Sequence, residues 1–171
     1  MHADDQHGRL FDAVGSLLGL CHHVGYEAQA AIELELACAA AGAGPEYVFD
    51  VEGDTIDPGP LLVAMVADAR RHVPVAQVAA GFHRAVAAVV VEVAEPLRAS
   101  ARLTTVALSG GVFQNARLVE LAWKGLAASG FEVLVPKAMP SNDGGLALGQ
   151  AFVALARHRR ESGAQARQDE R

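Results

Sequence analysis

The chain has 171 residues and a mass of 17.8 kDa, enough for one hydrophobic core and too little for an enzyme of several domains. Hydrophobic residues make up 51% and charged residues 20%, which excludes a disordered chain. The net charge of −6 and a pI near 5.6 argue against a nucleic-acid partner, which would demand a basic face. Two cysteines, Cys21 and Cys38, provide neither a disulfide framework nor a four-ligand zinc module. No basic start leading into an apolar run is visible at the N-terminus, and no uncharged apolar window reaches about 18 residues. The expected setting is cytoplasmic, without a membrane.

In chain order, Leu10, Phe11, Val14, Leu17 and Leu18 repeat at helical spacing, and a second helical stretch covers 26–41 before the breaker Gly42-Ala43-Gly44-Pro45. The pattern then changes around Gly53-Asp54, where apolar residues from Tyr47 to Ile56 predict a short hairpin. Asp57-Pro58-Gly59-Pro60 opens a helix to about His72. Pro74 starts a long one to about Ser100, which Pro96 is expected to kink or end. The last third alternates strand (103–108), helix (115–129), strand (131–135) and helix (144–160). That order predicts two parallel strands. Residues 1–160 thus read as one folded unit, and 161–171 as a polar, disordered tail.

Two loops attract chemistry. Ser109-Gly110-Gly111 follows an apolar strand and precedes a helix, so its bare backbone can meet a phosphate; a Gly-Gly pair by itself is also an ordinary turn. Ser141-Asn142-Asp143-Gly144-Gly145 would hold the Asp143 carboxylate on an open rim suited to a cation, although Asn or Asp there can equally cap the helix. Both loops follow consecutive parallel strands, so they should share one rim of the sheet. Asp12, expected in a first helical turn, is either a surface residue compensating the helix dipole or an acceptor for ribose hydroxyls. The histidines read as non-ligands: His22 and His23 diverge by about 100° on a helix, His2 and His7 are expected in a mobile N-terminus, and His72, His83 and His158 lie on helical stretches without a second ligand at i+3 or i+4. Cys21 beside His22 lacks the third group of a triad, and Glu27 and Gln29 are ordinary helix-start residues.

Four strings occur in order: Gly8-Arg9-Leu10-Phe11-Asp12-Ala13-Val14, Tyr26-Glu27-Ala28-Gln29-Ala30-Ala31-Ile32-Glu33-Leu34-Glu35, Ser109-Gly110-Gly111-Val112-Phe113-Gln114-Asn115, and Asn142-Asp143-Gly144-Gly145-Leu146-Ala147-Leu148-Gly149-Gln150. Together they resemble the C-terminal end of the HypF-type carbamoyltransferases of [NiFe] hydrogenase maturation, relatives of the enzymes that make threonylcarbamoyl-adenosine in tRNA. The resemblance covers about residues 8 to 155. It implies an α/β fold, the second lobe of an actin-like, sugar-kinase-like ATPase, rich in helix with a small, partly parallel sheet. It also implies that Gly8 and Asp12 hold a ribose, that Gly110 and Gly111 face phosphates, that Asn115 sits near the nucleotide and that Asp143 ligates a divalent metal, zinc or iron. The implied cofactor is ATP or carbamoyl-adenylate. The implied partners are a separate first lobe and a maturation protein whose C-terminal cysteine receives the carbamoyl group.

The sequence departs from the family at two places. The family's histidine motif, two adjacent histidines and a third three positions on, belongs to the first lobe; His22-His23 is followed by Tyr26 at the third place. Asp5-Gln6-His7 stands where small residues usually precede Gly8. The implied function is therefore half of a carbamoyltransferase site, inactive in isolation. The alternative is an orphaned fragment or interaction module that keeps the fold. A sugar or acid kinase of the same superfold does not account for Phe113-Gln114-Asn115 or Asn142-Asp143-Gly144-Gly145.

Overall fold

A computed structural model describes residues 3–39, 41–42, 44–53 and 55–169, with side chains from residue 8 to residue 160. Helices α1 (Ala3–Leu17), α2 (Gln29–Cys38), α3 (Gly59–Arg70), α4 (Val75–Ala101), α5 (Ala116–Ala128) and α6 (Leu146–Asp169) dominate. Strands β1 (Asp50–Glu52) and β2 (Thr55–Asp57) form an antiparallel hairpin, and β3 (Thr105–Ala107) pairs in parallel with β4 (Glu132–Leu134). The fold is α/β and helix-rich, as the sequence implies.

The central element is α4, whose Ala- and Val-rich face admits close neighbours. It packs against α2, α3 and α5, and buries Val78, Phe82 and Val86 against Leu34, Met65 and Leu126. Phe11 of α1 meets the Phe82 ring edge-on at a centroid distance of 4.9 Å. By length and hydropathy α4 could cross a bilayer, yet more than half of its most apolar window is buried inside this protein. It is a core helix here. Gly81 is required by close approach: a Cβ there would stand 2.4 Å from the Pro45 carbonyl oxygen. The chain segment laid across α4 at that point is tied by Arg84, which donates to the Gly44 and Pro45 carbonyls at 2.6 and 2.8 Å. Beside it, Tyr47 donates to buried Asp68 at 2.8 Å, and Arg71 pairs with the same carboxylate. Arg71 and Tyr47 hold the Asp68 carboxyl below its ordinary range, while burial and Asp68 push the Tyr47 phenol up.

Several boundaries differ from expectation. Helix α2 is shorter than 26–41, because Ala28 takes a left-handed conformation (φ 61°) and the Gln29 side chain accepts from the Gly25 N–H at 2.7 Å. Ala40, Ala43 and Asp54 lie outside the described residues. Pro96 does not end α4, which continues to Ala101; a proline so near the end removes little of the hydrogen-bond ladder. Helix α1 begins at Ala3, so Gly8 and Asp12 are both interior helical residues, and Asp12 is not in a first turn. Helix α6 passes the expected end at Arg160 and runs to Asp169, as no proline interrupts 161–169.

Candidate functional site

The β3–α5–β4 unit builds the site. β3 and β4 run side by side in the register Val106–Val133, extended by Leu108 N–H donating to the Leu134 carbonyl at 2.9 Å. Beyond their carboxyl ends the two loops meet. Gly110 N–H donates to the Ser141 carbonyl at 2.7 Å, and Ser109 Oγ reaches the same oxygen at 3.4 Å. Asn142 accepts from the Gly144 N–H at 3.1 Å and caps the 3-10 turn Asp143–Gly145 that leads into α6. A cleft of about 1070 Å³ opens between these loops and the inner face of α6. Its floor includes Ser109, Gly110 and Asp143, its apolar wall Met139, Pro140 and Val153, and its cations are Lys137 and Arg157.

Gly110 adopts φ 107° and ψ 165°, a conformation essentially reserved for glycine. Gly111 has no such requirement, and a Cβ there meets nothing within 4 Å. Strain therefore sits at the first glycine. The open space at the second leaves the backbone approachable.

Of the residues singled out from sequence, the cleft takes Gly110 and Asp143, with Gly111 adjoining. Gly8 and Asp12 are exposed on α1, which rests against the 3-10 turn Gly111–Gln114 rather than lining the cleft. Asn115 is buried and committed elsewhere. Its Oδ1 accepts from the Leu118 N–H at 2.8 Å as the N-cap of α5, and its Nδ2 donates to His83 Nε2 at 3.0 Å. His83 in turn donates from Nδ1 to the Ala79 carbonyl at 2.8 Å, which fixes a neutral tautomer. Burial holds its pKa below the ordinary value, with the nearby charges of Glu35 and Arg117 opposing one another. Glu35 also accepts from the Arg117 N–H at 3.2 Å, tying α2 to the start of α5.

Sequence reasoning missed Lys137, Arg157 and the positioning role of His83. A histidine in an Ala- and Val-rich helix gives no signal of what it faces, whereas Lys137 could have been found as the lone cation of the loop 136–140. Gln29 and Glu27 take no part in the cleft: Gln29 binds Gly25 and Glu33, and Glu27 is exposed. The thiol of Cys21 points at the His23 carbonyl, 3.5 Å away, and His22 pairs with Ser16. Among the described residues no group of three or more His, Cys, Asp or Glu side chains converges to hold a metal ion. Asp143 alone is not a metal site, and His2 lies outside the described residues.

Comparison with known proteins agrees with this architecture. Residues 6–150 match the family described as carbamoyltransferase, Kae1-like domain, second subdomain. The carbamoyltransferase HypF of Rhodobacter capsulatus is 41% identical over 88% of this chain and 19% of its own length. A carbamoyltransferase HypF homolog of Cupriavidus necator is 42% identical over 86% of this chain and 39% of its own. A full-length HypF crystal structure in a phosphate- and nucleotide-bound form superposes with a TM-score of 0.78 and 37% identity, covering 86% of this chain and 24% of that one. The crystal structure of T.kodakarensis HypF gives the same TM-score of 0.78 at 26% identity, covering 86% of this chain and 19% of that one. The chain thus spans between 19% and 39% of the curated relatives named here. From residue 6 to residue 150, it belongs to the Kae1-like second-subdomain family of the carbamoyltransferases.

Proposed function

We propose that this chain supplies the nucleotide-binding half of a carbamoyltransferase site, using the cleft beyond β3 and β4 for ATP or carbamoyl-adenylate. The observation that carries it is the meeting of two glycine-bearing loops at one sheet end, inside a second subdomain of this family. The cleft's size suits a small organic ligand, and Lys137 and Arg157 give it the charge that a polyphosphate requires. The open backbone at Gly111 admits the phosphates. Helix α1 abuts the 111–114 turn, so a nucleotide laid across that turn would direct its ribose toward Asp12 and Gly8. Asn115 serves this site from behind, by starting α5 in the right place.

In the reaction so read, the thiol sulfur of a maturation partner's C-terminal cysteine replaces AMP at the carbamoyl carbon. The thiol proton leaves to solvent or to the departing phosphate. Asp143 would offer one carboxylate to a divalent cation, zinc or iron, whose other ligands this chain's described residues do not provide. No step is therefore assigned to a metal. A first subdomain, on the same or another polypeptide, is required to close the cleft, because catalysis depends on reactants held in a preorganised, water-poor site. The setting proposed is cytoplasmic, where the two free, buried thiols remain reduced.

Calorimetric titration of the purified 171-residue chain with ATP tests the reading. Weak binding without transfer to a thiol acceptor is the expected result. A folded chain that ignores millimolar ATP would favour the interaction module, and metal-dependent transfer by the chain alone would overturn the half-site.

A further inference from the structure

Among the described residues the buried polar side chains are Asp68, His83 and Asn115, and the last two touch each other. Asp68 is shared between Tyr47 and Arg71, away from the cleft. The other pair lies where the core meets the first loop. Asn115 ends the 3-10 turn Gly111–Gln114, its N–H donating to the Val112 carbonyl at 3.3 Å, and it begins α5. His83 is fully buried on α4, edge-on to the Phe11 and Phe82 rings at centroid distances of 5.8 Å.

Their hydrogen bonds form a chain with a fixed sense. A carbonyl only accepts, so the contact to Ala79 places the imidazole hydrogen on Nδ1. In the neutral ring Nε2 is then a bare acceptor, and only a donor can face it. Asn115 must turn its amide nitrogen to His83, which leaves Oδ1 to accept from the Leu118 N–H. The tautomer set by α4 thus decides whether α5 is capped. A charged ring would bring a second donor against the amide nitrogen, and rotating the amide to meet it would break the cap. Glu35 and Arg117, the charged groups facing the ring from α2 and α5, act on it in opposite senses. Glu35 also accepts from the Arg117 N–H, so side chains hold both of these first-turn donors of α5. An anion beyond β3 therefore depends on the shape of the Gly111–Gln114 turn, which Asn115 closes.

We propose that His83 is a positioning residue for nucleotide binding: through Asn115 it holds the Gly111–Gln114 turn in the conformation that meets the phosphates. It touches no ligand itself. The role rests on the nucleotide reading of the cleft, and two separate readouts keep their failures apart.

Amide exchange in α5 and calorimetric titration with ATP are measured on the full chain near neutral pH. His83→Leu removes the acceptor and keeps an apolar side chain, whereas His83→Gln returns an acceptor on a different arm. His83→Leu should speed exchange at Leu118 about tenfold more than at Leu126, near the far end of the same helix. It should also weaken ATP by about two- to tenfold, the scale of one neutral hydrogen bond. His83→Gln should recover part of both losses, which a purely space-filling role would not predict. Equal acceleration at Leu118 and Leu126 overturns the proposal. So does a parent that binds ATP no better than His83→Leu, and that result leaves the nucleotide reading standing. A parent that binds no ATP while Leu118 still responds overturns the nucleotide reading, and this role with it. Asn115→Asp tests the contact without opening the core. A carboxylate keeps the cap and faces Nε2 with an acceptor, so His83 should become protonated near neutral pH, read from its ring nitrogen shifts. A ring that stays neutral in this variant overturns the proposal.

Discussion

The body built on α4 and the arm formed by α6 obey different rules. Around α4, Leu34, Met65, Phe82 and Leu126 are fully buried and no buried side-chain polar atom lacks a partner among the described residues. Phe82, His83 and Phe11 stack edge to face, and each polar group between the helices is answered. Along α6, Leu148, Phe152 and Leu155 face water although they are as apolar as anything in the core. The body encloses a packed core, whereas the arm and the cleft beside it are open, so the core and the proposed chemistry lie in different regions.

The strongest way to break that comparison is to remove one large ring from each region. Phe82→Ala in the fully buried core should cost about 3–5 kcal/mol, read as a lowered urea midpoint. Phe152→Ala in the isolated chain should stay within about 0.5 kcal/mol of the parent. A large loss at Phe152 would show that the arm already has a partner within this chain.

The next effect separates the two glycines of the first loop. Gly110→Ala forces a side chain into a backbone region that non-glycine residues avoid, at a cost of about 1–3 kcal/mol. Gly111→Ala meets open space and should be close to neutral for stability. Thermal melts of the two variants, compared at one pH, decide it. Equal losses would mean that the turn changes conformation in solution.

How much of this was legible follows from what each signal depends on. The parallel pairing of β3 with β4 was readable, because strand, helix and strand with short links leave few alternatives. The shared rim of Gly110 and Asp143 followed from that pairing. The strain at Gly110 rather than Gly111 was not readable, since adjacent glycines are identical as letters and only the path of the chain distinguishes them. Asn115 was legible as a boundary but not as a cap bonded to His83, because that contact joins residues 32 positions apart. The length of α6 is not legible from polarity, because a polar run without proline can continue a helix even where it builds no core.

The body's own polar network supplies a pH test. Burial depresses the His83 pKa below the ordinary 6.5, so the unfolded chain takes up this proton first as pH falls. Stability from neutral His83 is complete above about pH 6.5 and declines below it. Asp68 and Glu120, held below their ordinary values by Arg71 and Lys124 respectively, contribute above the usual carboxylate range and lose their effect only at lower pH. His83→Gln should cost about 1–2 kcal/mol at neutral pH through the disturbed contact to Asn115. It should also flatten the decline below about pH 6.5. An unaltered slope in urea midpoints across that window would assign the decline to another group.

The smallest effects lie in the cleft, and they sharpen the comparison most because they ask which parts of a nucleotide each region meets. Lys137 and Arg157 are exposed cations on its walls, so each should contribute at the scale of a solvated ion pair, about 0.2–1 kcal/mol. Lys137→Ala should therefore weaken ATP and inorganic tripolyphosphate alike, by up to about fivefold, and reduce the salt dependence of both. Asp12 has another expected role. It is exposed on α1, beyond the Gly111–Gln114 turn, and is proposed to meet the ribose alone. Asp12→Ala should weaken ATP by a few-fold and leave tripolyphosphate untouched, because only the nucleoside carries hydroxyls for a carboxylate to accept. Calorimetry with both ligands on both variants separates the contributions. If Asp12→Ala changes neither ligand while Lys137→Ala changes both, the chain binds polyphosphate through the cleft and the ribose position lies away from α1.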